Sequence, residues 1–342
     1  MFTILDYIKY YKTSSLKKIN FNVMDQLICA LLSYLPVSSF DGERTLEEVL
    51  EESIKDKNPK NLKTFPKDIY YLAKAMLSSK RYHEMKLSNF LNVKNEKTQF
   101  GAVTITIENK KIISFKGTDE SIIGWLENFR TAYSYPTYTQ ELALKYFLEN
   151  INDSDETIYV VGHSKGGNLA TYVGMEVSED IFKRIKKIYS FDGPGFRLEQ
   201  FESEKFERVS KKLVNIIPTG SYIGTIMYNK KPEVVKTNTI AINEHYPTNW
   251  TLFGEFFNKG ELSKISKEIN ENTTVKLMEL EPKLVEKTIE FVFNSLNKNY
   301  TENIKLSFKE LITIYNKTKK IDPKVSDYFD HLFNSIIKSI YK

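Results

Sequence analysis

The sequence predicts an α/β protein: a mostly parallel central sheet with helices on both faces and helical extensions at both ends. Three observations predict it. A hairpin pattern occupies residues 102–115, short apolar strands alternate with helices from there to Ile217, and mostly helical spacing fills both ends of the chain. Strands that alternate with helices imply parallel pairing, because each crossover helix carries the chain back to the same end of the sheet.

Residues 1–90 read as a helical N-terminal extension packed on the core. Phe21 to Leu35 places Leu27, Leu31, Leu32 and Leu35 at helical spacing and stops at Pro36. A charged helix is expected over Thr45–Lys55, a loop over Asp56–Pro66 and a further helix over Asp68–Ser78. From Phe100 the apolar period changes. Ala102–Ile107, the turn Glu108-Asn109-Lys110 and Ile112–Phe115 predict a β-hairpin. Helices at Ile122–Phe129 and Thr139–Ile151 follow, then a strand at Ile158–Val161 and a helix after Ser164. A strand at Ile188–Phe191, a polar helical stretch and a strand at Leu213–Ile217 complete a core expected over residues 91–260. Residues 261–342 read as a helical C-terminal extension, from the spacing in Ile289–Leu296, Leu306–Tyr315 and Tyr328–Ile340.

Composition narrows the class. Hydrophobic residues make up 41% and charged residues 27%, as in soluble globular proteins. The net charge of +5 is spread over 49 basic and 44 acidic residues, so no single field dominates and no nucleic-acid partner is expected. The lysine-rich helices also carry Glu and Asp and read as solvated faces; the rival reading is peripheral contact with anionic lipid. Cys29 is the single cysteine, which excludes an internal disulfide, and no metal or cofactor is expected. No apolar run reaches the roughly 18 residues that span a bilayer. The start, Met1-Phe2-Thr3-Ile4-Leu5-Asp6, lacks a basic n-region with a long apolar run, so a cytoplasmic location is expected.

Chemistry concentrates in Val160-Val161-Gly162-His163-Ser164-Lys165-Gly166-Gly167-Asn168-Leu169-Ala170. An apolar strand runs into Gly-x-Ser-x-Gly and then a helix, the nucleophile-elbow pattern of the α/β-hydrolase fold. Glycines flank the serine because the sharp turn leaves no room for neighbouring Cβ atoms. Serine needs an adjacent base, and there are four histidines. In this fold the order is serine, acid, histidine. His83 and His163 precede or adjoin Ser164, and His331 lies in an amphipathic helix, which leaves His245 in a turn-rich loop. The acid should close a strand between Ser164 and His245. Asp192, after Ile188–Phe191 and before Gly193-Pro194-Gly195, fits; Glu233 and Glu244 are the fallbacks, and a turn-capping role is the plain alternative. An oxyanion hole would combine the Lys165 N–H with a donor from the loop after Phe115, where Thr118 offers an N–H and a hydroxyl. The competing reading makes Thr118 or Asp119 an ordinary helix N-cap.

The run Phe115-Lys116-Gly117-Thr118-Asp119, followed by Gly124-Trp125, resembles the Phe-Arg-Gly-Thr strand end of class 3 lipases, whose Thr or Ser lines the oxyanion hole. Over roughly residues 4–255 the chain resembles a bacterial family of α/β-hydrolases of unknown function related to those lipases. The matching segments are Ile4-Leu5-Asp6-Tyr7, Gln26–Tyr34, Ser79–Tyr82, Gln99–Thr104, the Gly-Thr-Asp run, the elbow, Ser190–Phe196 and His245. Phe191–Gly195 also resembles the strand end that bears the aspartate of pancreatic-type lipases. Lys116 stands where arginine is usual, so no bidentate contact carries over. The resemblance implies an esterase- or lipase-like acyl hydrolase for a small-molecule or lipid-like ester, working through an acyl-serine. The alternatives are a catalytically silent fold used for binding or scaffolding, and a thioesterase or acyltransferase with the same three residues.

Overall fold

Runs rich in β-branched and aromatic residues suit a pleated surface, and they supply the centre of an eight-stranded sheet whose strands lie side by side in sequence order. The strands are β1 (Phe40–Thr45), β2 (Lys86–Lys94), β3 (Gln99–Ile107), β4 (Lys110–Phe115), β5 (Thr157–His163), β6 (Ile185–Phe191), β7 (Leu213–Pro218) and β8 (Glu233–Val235). Strands β1 to β4 pair antiparallel, and β4 to β8 pair parallel. A separate two-stranded ribbon joins β9 (Leu252–Phe253) to β10 (Phe256–Phe257). This computed structural model describes residues 1–119, 121–155, 157–271, 280–294 and 299–303, and positions 316, 317, 320 and 322–324.

The helices are α1 (Ile4–Tyr10), α2 (Val23–Leu32), α3 (Leu46–Ile54), α4 (Thr64–Leu77), α5 (Ile122–Arg130) and α6 (Tyr138–Asn150). Then come α7 (Lys165–Glu176), α8 (Glu179–Arg184), α9 (Leu198–Phe201), α10 (Glu204–Ser210), α11 (Lys264–Asn270) and α12 (Pro282–Asn294). Sequence sets their ends. Asn22, Thr45 and Thr137 begin α2, α3 and α6 with capping boxes that satisfy otherwise unpaired backbone N–H groups.

Alternation along the strands divides the core into two layers. Val103, Ile105, Ile112, Val161, Phe191 and Ile216 meet Leu27, Leu31, Leu50 and Leu72 from α2, α3 and α4. Ala102, Ile113, Val160 and Ile188 meet Phe147, Leu169, Val173 and Val209 from α6, α7 and α10. The N-terminal helices therefore form one full layer over the sheet.

The stretch before residue 90, expected to be mostly helical, carries α1 to α4 and also β1 and the start of β2, two strands that were not expected there. Neither strand shows clean period-two patterning. β1 is a polar edge strand, and the β2–β3 register shifts between Ser88 and Leu91, with Asn89 at φ 50°. At the other end, α12 packs on α5 through a third cluster that joins Leu280, Val285, Ile289 and Phe293 to Ile122, Ile123 and Leu126. The segments Leu306–Tyr315 and Tyr328–Ile340, with His331, lie outside the described residues. Among the described residues no helix is long and apolar enough to cross a membrane.

Candidate active site

Parallel register brings the site residues to one edge. Phe115 of β4 pairs with Gly162 of β5, and Gly162 pairs with Ser190 of β6. The residues just beyond these rows are Gly117 and Thr118, Ser164, and Asp192. The ladder runs one step past the strands, with the Ser164 N–H donating to the Phe191 carbonyl at 2.9 Å and the Asp192 N–H to Ile216 at 2.8 Å.

Ser164 has φ 57° and ψ −131°, a conformation that residues other than glycine rarely adopt. The turn that imposes it is crowded. A Cβ on Gly162 would sit 2.1 Å from the Gly166 carbonyl, so strand and helix can cross there only without side chains. Helix α7 starts directly after the serine and directs its N-terminal partial positive charge at the elbow.

The base and acid candidates meet. His245 Nδ1 donates to Asp192 Oδ2 at 2.6 Å, which leaves Nε2 as the basic ring nitrogen. Asp192 is fully buried, and its other oxygen accepts from the Ser221 hydroxyl and from the Gly224 N–H at 3.1 Å. Three donors satisfy this buried carboxylate and fix its orientation. The fallback acids are engaged elsewhere. Glu244 accepts from the Gly220 N–H at 2.8 Å and the Thr237 hydroxyl at 2.9 Å, and Glu233 is exposed on β8.

The loop after β4 passes against the elbow, since a Cβ on Gly117 would lie 3.0 Å from the Ser164 Cβ. The Gly117 N–H donates to the Tyr34 hydroxyl at 3.0 Å, and the Asp119 N–H donates to Gln99 Oε1 at 3.4 Å. Among the described residues the N–H groups of Thr118 and Lys165 make no hydrogen bond. The Thr118 hydroxyl oxygen accepts from Asn128 Nδ2 at 2.6 Å, so its hydrogen is left to donate. Neither Thr118 nor Asp119 caps α5; Ser121 does, through the Gly124 N–H.

Sequence reasoning missed the residues that hold these groups in place. His163, set aside as adjoining the nucleophile, donates from Nε2 to the His245 carbonyl at 2.9 Å and accepts the Tyr34 hydroxyl on Nδ1 at 2.9 Å. Its ring lies 4.6 Å from that of His245. Burial, reinforced by the neighbouring His245, holds the His163 pKa well below its usual 6.5, and the neutral ring suits this donor–acceptor pattern. Burial likewise raises the Tyr34 phenol, which stays a hydroxyl. From α4, Phe65 stacks on Tyr246 at 4.9 Å and Asp68 accepts from the Thr248 hydroxyl at 2.7 Å, gripping the His245 loop. The Lys165 side chain, for which only the backbone was assigned a part, is buried with its ammonium 2.9 Å from Glu127. That signal was present in the sequence, because a lysine inside a buried elbow needs a carboxylate partner. Lys116 turns away to Asn92 Oδ1 at 3.0 Å, and burial lowers its ammonium to about 8. Among the described residues no group of His, Cys, Asp and Glu side chains could hold a metal ion.

A mostly parallel sheet with helices on both faces and an elbow at the strand ends defines an α/β-hydrolase fold. The chain belongs to the Mbeg1-like family, whose model matches residues 76–294, more than half of its length. A search of curated proteins finds no match. Among solved structures the chain is similar to M37 lipase, at 16% identity over 58% of this chain and 68% of that one, with a TM-score of 0.37. It is also similar to the Lip2 lipase from Yarrowia lipolytica, at 13% identity over 57% of this chain and 79% of that one, with a TM-score of 0.31. Family membership rests on the family match, and likenesses of this size decide nothing about activity.

Proposed function

We propose that the protein is a serine acyl hydrolase that cleaves carboxylic esters. The observation that carries this reading is the 2.6 Å bond between His245 Nδ1 and Asp192, on a loop tied through His163 to a serine held at φ 57°. Ser164 Oγ attacks the acyl carbon while His245 Nε2 takes its proton. Negative charge moves to the former carbonyl oxygen, which accepts from the N–H groups of Thr118 and Lys165 and from the Thr118 hydroxyl. The intermediate collapses, the carbon–oxygen bond to the alcohol breaks, and His245 returns the proton to the leaving oxygen. Water, deprotonated by the same imidazole, then releases the acid from the acyl-serine. Asp192 orients the ring and stabilises the imidazolium in both halves.

The substrate class we propose is a lipid-like ester, a choice that rests on membership of a lipase-like family. Two measurements test the reading: fluorophosphonate labelling, and turnover of acyl esters of graded chain length, on wild type and Ser164→Ala side by side. Labelling and turnover in wild type alone are expected. A folded wild type that does neither overturns the proposal.

A further inference from the structure

Gln99 opens the segment Gln99–Thr104 and takes no part in the steps above, yet its side chain joins the oxyanion loop to the elbow. Its amide nitrogen donates to the Gly117 carbonyl at 3.3 Å, and its amide oxygen accepts from the Asp119 N–H at 3.4 Å. These two contacts bracket Thr118. The Gly117 carbonyl and the Thr118 N–H belong to one peptide unit, and a trans peptide sends the two in opposite directions. Holding the carbonyl on Gln99 therefore turns the Thr118 N–H away from Gln99, on the loop that lies against Ser164. Occupying the Asp119 N–H removes the neighbouring donor from competition.

A glutamine amide can sit either way round, and here one way fails. Flipped, it would set oxygen against the Gly117 carbonyl and NH₂ against the Asp119 N–H. Lys165 decides the matter. Its side chain is 2% exposed, and its ammonium donates to Gln99 Oε1 at 3.0 Å, to the Gln99 carbonyl at 2.6 Å and to Glu127 Oε2 at 2.9 Å. An ammonium only donates, so the amide oxygen must face it. Glu127 also accepts from the Thr98 hydroxyl at 2.6 Å and the Gln99 N–H at 3.1 Å, which fixes the lysine in turn.

We propose that Gln99 is the positioning residue of the oxyanion hole: it sets the direction of the Thr118 N–H, and the buried Lys165–Glu127 pair sets the sense of the Gln99 amide. The inference rests on the serine hydrolase reading and adds to it a residue remote from the reacting atoms.

Two variants separate positioning from bulk structure. Gln99→Met keeps the side-chain length and removes both contacts to the loop. Gln99→Glu keeps an acceptor for Lys165 and Asp119 but puts a second oxygen against the Gly117 carbonyl. We expect kcat on a soluble ester and the fluorophosphonate labelling rate to fall about 10²-fold in each, as for loss of one oxyanion donor. KM should stay within about threefold, the split expected of an interaction made only in the transition state. Thermal unfolding identifies a variant that does not fold; should Gln99→Met be lost in that way, Gln99→Glu carries the test with its lysine contact intact. A folded variant with kcat within about threefold of wild type, or a loss that lies wholly in KM, overturns the inference and leaves the hydrolase reading standing. A wild type that neither labels nor turns over removes both.

Discussion

The two sides of the candidate site are held in opposite ways. On the acid–base side the functional atoms bind one another, with His245 on Asp192 and Asp192 on Ser221 and Gly224. On the oxyanion side the donors are held at one remove. Tyr34, just past α2, takes the Gly117 N–H; Gln99, on β3, takes the Asp119 N–H; Asn128, on α5, holds the Thr118 hydroxyl. A carboxylate and an imidazole bonded to each other orient one another directly. A backbone N–H has no charge of its own, and its direction is set by whatever holds the peptides around it.

This contrast predicts a hierarchy of effects. Ser164→Ala should lower ester turnover by about 10⁴-fold or more with little change in Tm, and His245→Ala should be about as severe, because such groups act as a unit. Asp192→Asn should cost about 10⁴-fold, since the amide NH₂ would face His245 Nδ1 and favour the wrong tautomer. A mild effect from any of the three, measured as kcat on a soluble ester, would break the comparison on its acid–base side. Thr118→Val keeps the amide and removes the hydroxyl, so a loss of about 10²-fold is expected. Asn128→Ala should lose less than Thr118→Val, because it frees the hydroxyl without removing it. A larger loss from Asn128→Ala would show that α5 does more than orient that hydroxyl.

The smallest effect concerns His163 and stability. Its ring is neutral when folded and titrates at its ordinary 6.5 when unfolded, so below about pH 6.5 the unfolded chain binds the extra proton. Stability should therefore fall as pH drops below 6.5, with the full contribution present above it. Denaturant midpoints measured for wild type and His163→Gln should converge as pH falls. Parallel curves would place the titrating group elsewhere.

The same contrast explains how much was legible in the sequence. Ser164, Asp192 and His245 could be named because strand ends and chain order restrict where such residues stand, and the structure puts Asp192 and His245 in contact. Thr118 and Lys165 were named by their place in strand-to-helix turns. Their supports were hidden, because Tyr34, Gln99 and Glu127 reach the site from elements that are neighbours only after folding. His163 was discarded on chain order, which is sound for a base and says nothing about a brace. β1 and β2 escaped notice for another reason: a polar edge and a shifted register erase the alternation by which strands are recognised.

The order of the sheet bears on how the protein is made. Every strand from β2 onward lies beside the one that precedes it in the chain, so a ribosome releasing the N-terminus first delivers each strand to a finished neighbour. The elbow has strands on both sides once Phe191 has emerged. His245 comes later, after β7 and β8. Through that interval a nascent chain carries His163 and Ser164 without the His245 loop to which His163 is bonded in the finished fold.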